Sequence, residues 1–274
     1  METTPITPLE PPPQGAAALD DCQADASAWA RISFASASSC GSLHRHNEDA
    51  VSPPERAGRL FVVADGVGGG ALARAASRQL VARLHRSLDG QRIDAERIRQ
   101  AVLEADRAIR RYIERRAEAP GAATLVLAAP ANLRATRWLI GWVGDCRAYR
   151  IDTGGAVQAL TRDDSFRHLN ETPPPGSTPD DPARMVGNGA TLGPNLAPCV
   201  LAPGQRLMLC SDGVHKHVDE AALGRLLAAP APLAPACDAL LALARRNGSA
   251  DDATALLLQH GGFTWPWLRR GAHS

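Results

Sequence analysis

The chain carries two kinds of hydrophobic pattern, and each predicts a different element. Alternating or short continuous apolar runs predict strands, and they cover residues 30–38, 59–65, 124–129, 136–144, 147–152, 157–160, 205–210 and 253–259. Leu72, Ala76, Leu80 and Leu84 recur every fourth residue, which places them on one helical face. Similar patterns predict helices at residues 94–117, 219–228 and 235–246.

The order of these elements predicts an α+β fold in which helices cover antiparallel sheets. Strands follow one another in runs with short connections, which favour antiparallel pairing, and the helices come in two pairs. Residues 166–200 are rich in Pro, Gly, Asn and Asp, so we expect an irregular flap there. We expect a disordered arm at 1–29, one domain at 30–260 and a short tail at 261–274, whose tryptophans could dock on the domain.

Composition excludes several classes of function. The 274 residues carry a formal net charge of +1, whereas a protein that grips nucleic acid by its phosphates is usually more basic. The longest apolar runs fall well short of the ~20 residues that cross a bilayer. The first residues lack the pattern of a secretory signal, and the six cysteines form no CxxC pair. We therefore expect a cytoplasmic protein with reduced thiols and no membrane or nucleic-acid partner.

Acidic residues stand where apolar segments begin or end. Glu48 and Asp49 follow the first strand, and further acids adjoin later apolar segments: Asp65, Asp145, Asp212 and Asp251. Each acid alone could be an ordinary turn former, because Asp-Gly is a common turn pair. Several such junctions in one chain indicate carboxylates that converge. Without His or Cys clusters nearby, such a set favours Mg²⁺ or Mn²⁺ over zinc.

The glycine-rich turn after the second strand has a competing interpretation. GVGGGA at 66–71 opens a helix and nearly matches the dinucleotide fingerprint, with Asp89 roughly twenty residues on. However, Asp65 directly precedes the first glycine and would repel a phosphate, and the chain lacks βαβ alternation. A dinucleotide-binding oxidoreductase stays a rival hypothesis.

Several motifs follow one another in order between Ser33 and Gln259: G-x5-NEDA, VVADGVGG, ATLVLA, GWVGDCRAYRI, ALTRDDS, LMLCSDGV and DDAT. Together they resemble the metal-dependent protein serine/threonine phosphatases, also called type 2C, in their compact bacterial form. The resemblance implies a four-layer αββα sandwich: two antiparallel sheets flanked by pairs of helices. It also implies two central Mn²⁺ or Mg²⁺ ions and a third, weaker one.

The resemblance implies a role for each acid. Asp65 would bridge the central ions with the carbonyl of Gly66, Glu48 would bind one of them, and Asp212 and Asp251 the other. Asp49 would orient metal-bound waters. Asp145, with Asp212, would hold the third ion. Thr124 and Thr254 would be structural or would support the ligands from behind.

The sequence also departs from the family pattern. His44 stands where a phosphate-binding arginine is usual and Arg45 is one residue later, so either could contact phosphate. Val67 replaces a candidate general acid. Asp252 replaces the common Asn, so either Asp251 or Asp252 could be the ligand.

The implied function is hydrolysis of phosphoserine or phosphothreonine in proteins, opposing a bacterial serine/threonine kinase and its targets. Residues 185–189 resemble members linked to type VI secretion, and we expect a monomer. A pseudophosphatase that binds phosphorylated partners without turnover stays an alternative, as does a metal-dependent nuclease, which the near-neutral charge disfavours.

Overall fold

The computed structural model describes the backbone of residues 22–27 and, with side chains, residues 30–56, 58–90, 92–116, 120–228 and 232–263. The strands are β1 (Cys22–Ser27), β2 (Ala30–Ser39), β3 (Ala50–Val51), β4 (Phe61–Val67), β5 (Ala122–Pro130), β6 (Arg137–Val143), β7 (Arg147–Ile151), β8 (Val157–Ala159), β9 (Asn195–Val200), β10 (Arg206–Cys210) and β11 (Ala253–Phe263). The helices are α1 (Ala71–Leu88), α2 (Ala95–Glu114), α3 (Phe166–Leu169), α4 (Asp212–His215), α5 (Glu220–Leu227) and α6 (Leu233–Arg246). None of the described helices combines the length and apolar character that a bilayer crossing requires.

The strands form two sheets in which every neighbouring pair is antiparallel. The first sheet has the order β1-β2-β11-β10-β7-β8, and the second has the order β3-β4-β5-β6-β9. Helices α1 and α2 lie on the second sheet, and α4, α5 and α6 pack against the first. The predicted four-layer αββα sandwich is therefore confirmed.

Side-chain alternation along the strands builds three apolar layers. In β5, Leu125 and Leu127 point to α1 and α2, whereas Val126 between them points to the other sheet. In β10, Leu209 likewise faces the space between the sheets, and Met208 faces the helices on the first sheet. Strands that are buried on both faces appear in the sequence as continuous apolar runs, which is why these strands could be predicted.

Four segments differ from the sequence-based expectation. Residues 22–27 of the predicted arm form edge strand β1, while the rest of the arm and most of the tail, residues 264–274, lie outside the described residues. The predicted flap is shorter than expected, because Phe166–Leu169 is helical and Asn195–Val200 is a strand paired with β6. The single turn α4 follows β10 directly, where the sequence predicted only a turn.

Candidate metal centre

Strand register brings the acidic junctions to one end of the sandwich. In the first sheet, the end of β2 pairs with the start of β11 (Ser39 with Ala253), and the end of β10 lies between β11 and the start of β7. In the second sheet, Asp65 near the end of β4 pairs with Thr124 near the start of β5. Because antiparallel neighbours reverse direction, the end of one strand lies beside the start of the next. The acidic turns therefore lie at the same end of the sandwich.

Glu48 is fixed by the glycine-rich turn and by α1. Its Oε1 accepts a 2.5 Å hydrogen bond from the backbone N–H of Gly70, at the N-terminus of α1, and its carbonyl accepts a 2.5 Å bond from Ser77 Oγ. A helix N-terminus attracts negative charge, and here a carboxylate of the chain itself takes that place. Together with the antiparallel β4–β5 pairing, this shows that the dinucleotide interpretation is wrong, because a Rossmann sheet is parallel.

Asp49 is buried, with only 5% exposure, and one of its two oxygens is held. Ser211 Oγ donates to Asp49 Oδ2 at 2.8 Å and also accepts from Thr254 N at 2.9 Å, so Ser211 joins β10, β11 and the NED motif. Burial is the main reason that the pKa of Asp49 rises to about 7. The negative charges of Asp212 and Asp252 add to the rise.

Asp65 and Gly66 lie where β4 meets the other acids. A Cβ on Gly66 would lie 2.6 Å from the carbonyl oxygen of Ala73 and 2.8 Å from that of Glu48, so only glycine allows this close approach. Burial raises the pKa of Asp65 well above its usual range, and neighbouring carboxylates raise it further: Asp49, Asp212, Asp145 and Asp251. Of the predicted site acids, Asp49, Asp145, Asp212 and Asp251 therefore lie near enough to Asp65 for their charges to act on it.

The adjacent acids Asp251 and Asp252 differ sharply in their surroundings. Asp252 is 2% exposed, and its oxygens accept hydrogen bonds from the backbone N–H groups of Gly41 and Glu48, each at 2.7 Å. His44 Nδ1 lies 3.1 Å from the same carboxylate. The Asp251 side chain is 42% exposed; its Oδ1 accepts from the backbone N–H of Asp252 at 2.8 Å and lies 3.6 Å from His44 Nδ1. Asp252 therefore ties the loop before Glu48 to the start of β11, whereas Asp251 remains open for a ligand.

Lys216 lies between the two remaining acids. Its Nζ is 2.6 Å from Asp212 Oδ2 and 3.3 Å from Asp145 Oδ2. Burial alone would raise the pKa of Asp212, but the ammonium of Lys216 outweighs burial and lowers it. Asp145 is 2% exposed; burial, then the charge of Asp212, raises its pKa to about 7 despite Lys216.

Three buried carboxylate oxygens have no hydrogen-bond partner among the described residues: Glu48 Oε2, Asp49 Oδ1 and Asp212 Oδ1. An orphaned buried carboxylate oxygen is costly, and a bound cation offsets that cost while reversing the upward pKa shifts. The candidate ligand atoms are all oxygens, which Mg²⁺ and Mn²⁺ prefer. The residues present therefore fit hard divalent cations at this centre.

The two candidate phosphate-binding residues have different environments. His44 is 27% exposed and lies 3.1 Å from Asp252 and 3.6 Å from Asp251. Burial is the largest single influence and opposes protonation of His44, but the hydrogen bond to Asp252 and the negative charges of Glu48, Asp252 and Asp251 together raise its pKa. With Asp251 and Asp252, His44 forms a group whose ligand atoms lie within 4.8 Å of one another. Arg45 is exposed.

Several functional contacts could not be assigned from the sequence. The guanidinium of Arg245 contacts the carbonyl of Asp251 and, at 3.1 Å, that of Ser39, and so it holds the loop that carries Asp251. Ser211 and Lys216 stand within the LCSDGVHK segment, but their roles depend on partners far away in the chain. For Lys216 a signal existed, since a basic residue four positions after an acid pairs with it on a helix.

Residues 39–257 match the protein phosphatase 2C family, so the chain belongs to that family. Among known proteins, the serine/threonine protein phosphatase PstP of Mycobacterium tuberculosis is 27% identical over 240 residues, which is 82% of this chain and 44% of that protein. The chain thus spans less than half the length of this relative.

Solved structures share the fold. One, described as PppA, a key regulatory component of T6SS in Pseudomonas aeruginosa, is 29% identical with a TM-score of 0.72, and the match covers 84% of this chain and 97% of that one. Another is the catalytic domain of PstP in complex with two manganese ions, which is 25% identical with a TM-score of 0.70 and coverages of 84% and 98%.

Proposed function

We propose that the protein hydrolyses phosphoserine and phosphothreonine in other proteins, using two Mn²⁺ or Mg²⁺ ions held at the metal centre. The observation that carries this proposal is the set of buried oxygens on Glu48, Asp49 and Asp212 that have no hydrogen-bond partner among the described residues. Family membership supports the reaction class, and the two manganese ions of the similar PstP domain support the ion number.

The environments of the acids support distinct roles. Glu48 would bind through Oε2, because Oε1 is held by Gly70, and Asp212 would bind through Oδ1, because Oδ2 is held by Lys216. Asp65 would bridge the ions, with the carbonyl of Gly66 beside it. Asp251, rather than Asp252, would be the ligand at the start of β11, because both oxygens of Asp252 already accept backbone hydrogen bonds.

Ions held by these residues would supply a lower pKa for water and positive charge against the phosphoryl oxygens, and we propose hydrolysis without a phosphoenzyme. The chain contributes positioning. Asp49 accepts from Ser211 through Oδ2 and keeps Oδ1 to orient water. Because the side chain of Val67 has no ionisable proton, the leaving alkoxide would take its proton from water rather than from that position.

Of the two candidate phosphate contacts, we favour Arg45. His44 is committed to Asp252 and Asp251, whereas Arg45 is exposed and has no ion pair with the described residues. A guanidinium also matches the geometry of phosphate better than an imidazole does. Because His44 contacts Asp252 and Asp251 and stands where the usual phosphate-binding arginine is absent, a pseudophosphatase that does not hydrolyse its partner is the alternative.

The biological setting is part of the proposal. The similarity to PppA, whose title describes a key regulatory component of T6SS, supports a role in type VI secretion control, opposite a serine/threonine kinase. Residues 170–194, which connect α3 to β9 without regular secondary structure, would shape the choice of substrate protein. We propose that the protein acts as a cytoplasmic monomer.

The test is hydrolysis of an aryl phosphate and of a phosphothreonine peptide by purified protein, with Mn²⁺ and with EDTA. We expect strict dependence on added cation, and we expect Asp65→Asn to lose at least ~100-fold in rate, the scale of one electrostatic contribution to catalysis. Asp89→Asn is the matched control, because Asp89 is exposed at the end of α1. Activity in EDTA would contradict the proposal, and Mn²⁺ binding without turnover would favour the pseudophosphatase.

A further inference from the structure

Lys216 is the only lysine in the 274 residues; every other basic side chain in the Lys and Arg total is an arginine. This single ammonium lies between two carboxylates of the metal centre, 2.6 Å from Asp212 Oδ2 and 3.3 Å from Asp145 Oδ2. An ammonium is a compact point charge that can sit between two carboxylates much as a small ion does, whereas a guanidinium is a broad planar fork.

The backbone of α4 directs the Lys216 side chain, which is 43% exposed, toward these two acids. Lys216 caps the C-terminus of α4, four residues after Asp212, so both side chains lie on one face of the turn. A Cβ on Gly213 would lie 1.9 Å from the carbonyl oxygen of Asp252, so α4 packs directly on the loop before β11. The Asp145 side is fixed too, because its carbonyl accepts a 2.8 Å hydrogen bond from Nε2 of His215.

The two oxygens of Asp212 face different neighbours. Oδ2 contacts the ammonium, while Oδ1 is buried without a hydrogen-bond partner in the part of the chain that the structure describes. One carboxylate can therefore bind a central ion through Oδ1 and the lysine through Oδ2. Asp145 is 2% exposed, and burying its charge requires a cation nearby, which Lys216 supplies.

We propose that the ammonium of Lys216 permanently takes the cation position between Asp145 and Asp212, so that the enzyme works with two divalent ions and a built-in lysine. The position is the one where the family resemblance implies a third, weaker ion, and the side chains present do not fit that ion while Lys216 is there. This inference rests on the proposed two-ion function and concerns only the third position.

If this is so, replacing Lys216 should raise the number of divalent ions that the protein binds. Lys216→Met keeps the length of the apolar stem and removes the charge, so Asp145 and Asp212 would face each other without a cation and would attract a divalent ion. Arg225→Met, on the exposed face of α5, is the matched control for loss of one positive charge.

The experiment counts bound Mn²⁺ on the whole chain by equilibrium dialysis with electron paramagnetic resonance. We expect about two ions on the wild type and on Arg225→Met, and about three on Lys216→Met, in line with a two-ion site. Three ions on the wild type would overturn the inference and leave the proposed function intact. No bound ion on the wild type would instead overturn the two-ion function itself.

A second measurement on the unaltered protein covers the case in which Lys216→Met fails to fold. Lysine labelled with ¹³C at the ε position gives a single lysine signal, because the chain has only Lys216. During titration with Mg²⁺, which is diamagnetic, we expect this signal to stay shifted from that of free lysine after the central ions bind. Return of the signal to the free-lysine position would show that an ion displaces the ammonium and would refute the inference.

Discussion

The neighbouring acids Asp251 and Asp252 allow a sharp test, because the structure gives them opposite roles. Asp252 is almost fully buried and accepts backbone hydrogen bonds from Gly41 and Glu48, whereas the Asp251 side chain is 42% exposed and has His44 as its charged neighbour, at 3.6 Å. In Asp252→Asn the new NH₂ group would face one of the backbone N–H donors. That change removes one hydrogen bond to a charged acceptor and leaves a buried donor unpaired.

The expected cost of Asp252→Asn is about 1.5–3 kcal/mol in the free energy of unfolding, the range for a hydrogen bond to a charged group. Asp251→Asn should leave the stability of the cation-free protein unchanged or slightly raised. Burial and the charge of Asp212 disfavour the ionised form of Asp251, and its amide can still accept from the N–H of Asp252. The free energy of unfolding should therefore fall in Asp252→Asn and should stay the same or rise slightly in Asp251→Asn.

The assay is urea unfolding in EDTA, repeated with saturating Mn²⁺. Because a ligand that binds only the folded state stabilises it, the wild type and Asp252→Asn should both gain stability from Mn²⁺, and Asp251→Asn should lose most of that gain. If Asp251→Asn kept the full Mn²⁺ effect while Asp252→Asn lost it, the assignment of ligand and tether would be reversed and the reasoning from hydrogen bonds refuted.

Three further predictions test other parts of the centre. Ser211→Ala should lower the free energy of unfolding by about 1–3 kcal/mol in urea titrations, because it leaves the buried Asp49 carboxylate and the Thr254 N–H without their shared partner; Ser211→Thr, if it restores the hydroxyl, should recover part of this. The pKa of Asp49 is raised to about 7 in the folded protein, whereas it is roughly 3.9 in the unfolded chain. Its carboxylate therefore destabilises the cation-free fold as the pH rises above the unfolded pKa. Asp49→Asn should therefore stabilise the protein in EDTA most at pH 7–8, with the gain vanishing as pH falls toward about 4; a gain independent of pH would contradict this. Gly66→Ala should abolish cation-dependent hydrolysis, since its Cβ would lie 2.6 Å from a backbone oxygen, and normal activity in that variant would show that the turn is not constrained.

The sequence predicted the sandwich and the acidic junctions at the ends of its strands because both depend on local signals that repeat. Strands such as β5 and β10 are buried on both faces, so they appear as unbroken apolar runs. Each candidate ligand follows or precedes such a run, and an acid at that border has a cost that a turn alone does not explain. Register then brings the borders together, as the pairing of Asp65 with Thr124 illustrates.

The rest depended on contacts that no local pattern contains. Strand β9 includes Pro198 and Asn195, which suggested a loop; an edge strand tolerates proline because it pairs on one side only. The roles of Asp251 and Asp252 could not be separated from the sequence, since the difference arises from Gly41 and Glu48, which lie more than two hundred positions earlier. The position of Lys216 between two acids likewise depends on a packed turn.

The most direct test of the central claim is anomalous X-ray diffraction from crystals of the protein grown with Mn²⁺. We expect two adjacent manganese peaks, bounded by Glu48, Asp65, Asp212 and Asp251, with Lys216 still in contact with Asp145. Absence of manganese among these carboxylates, or a single peak at the His44 side of Asp252 alone, would contradict it.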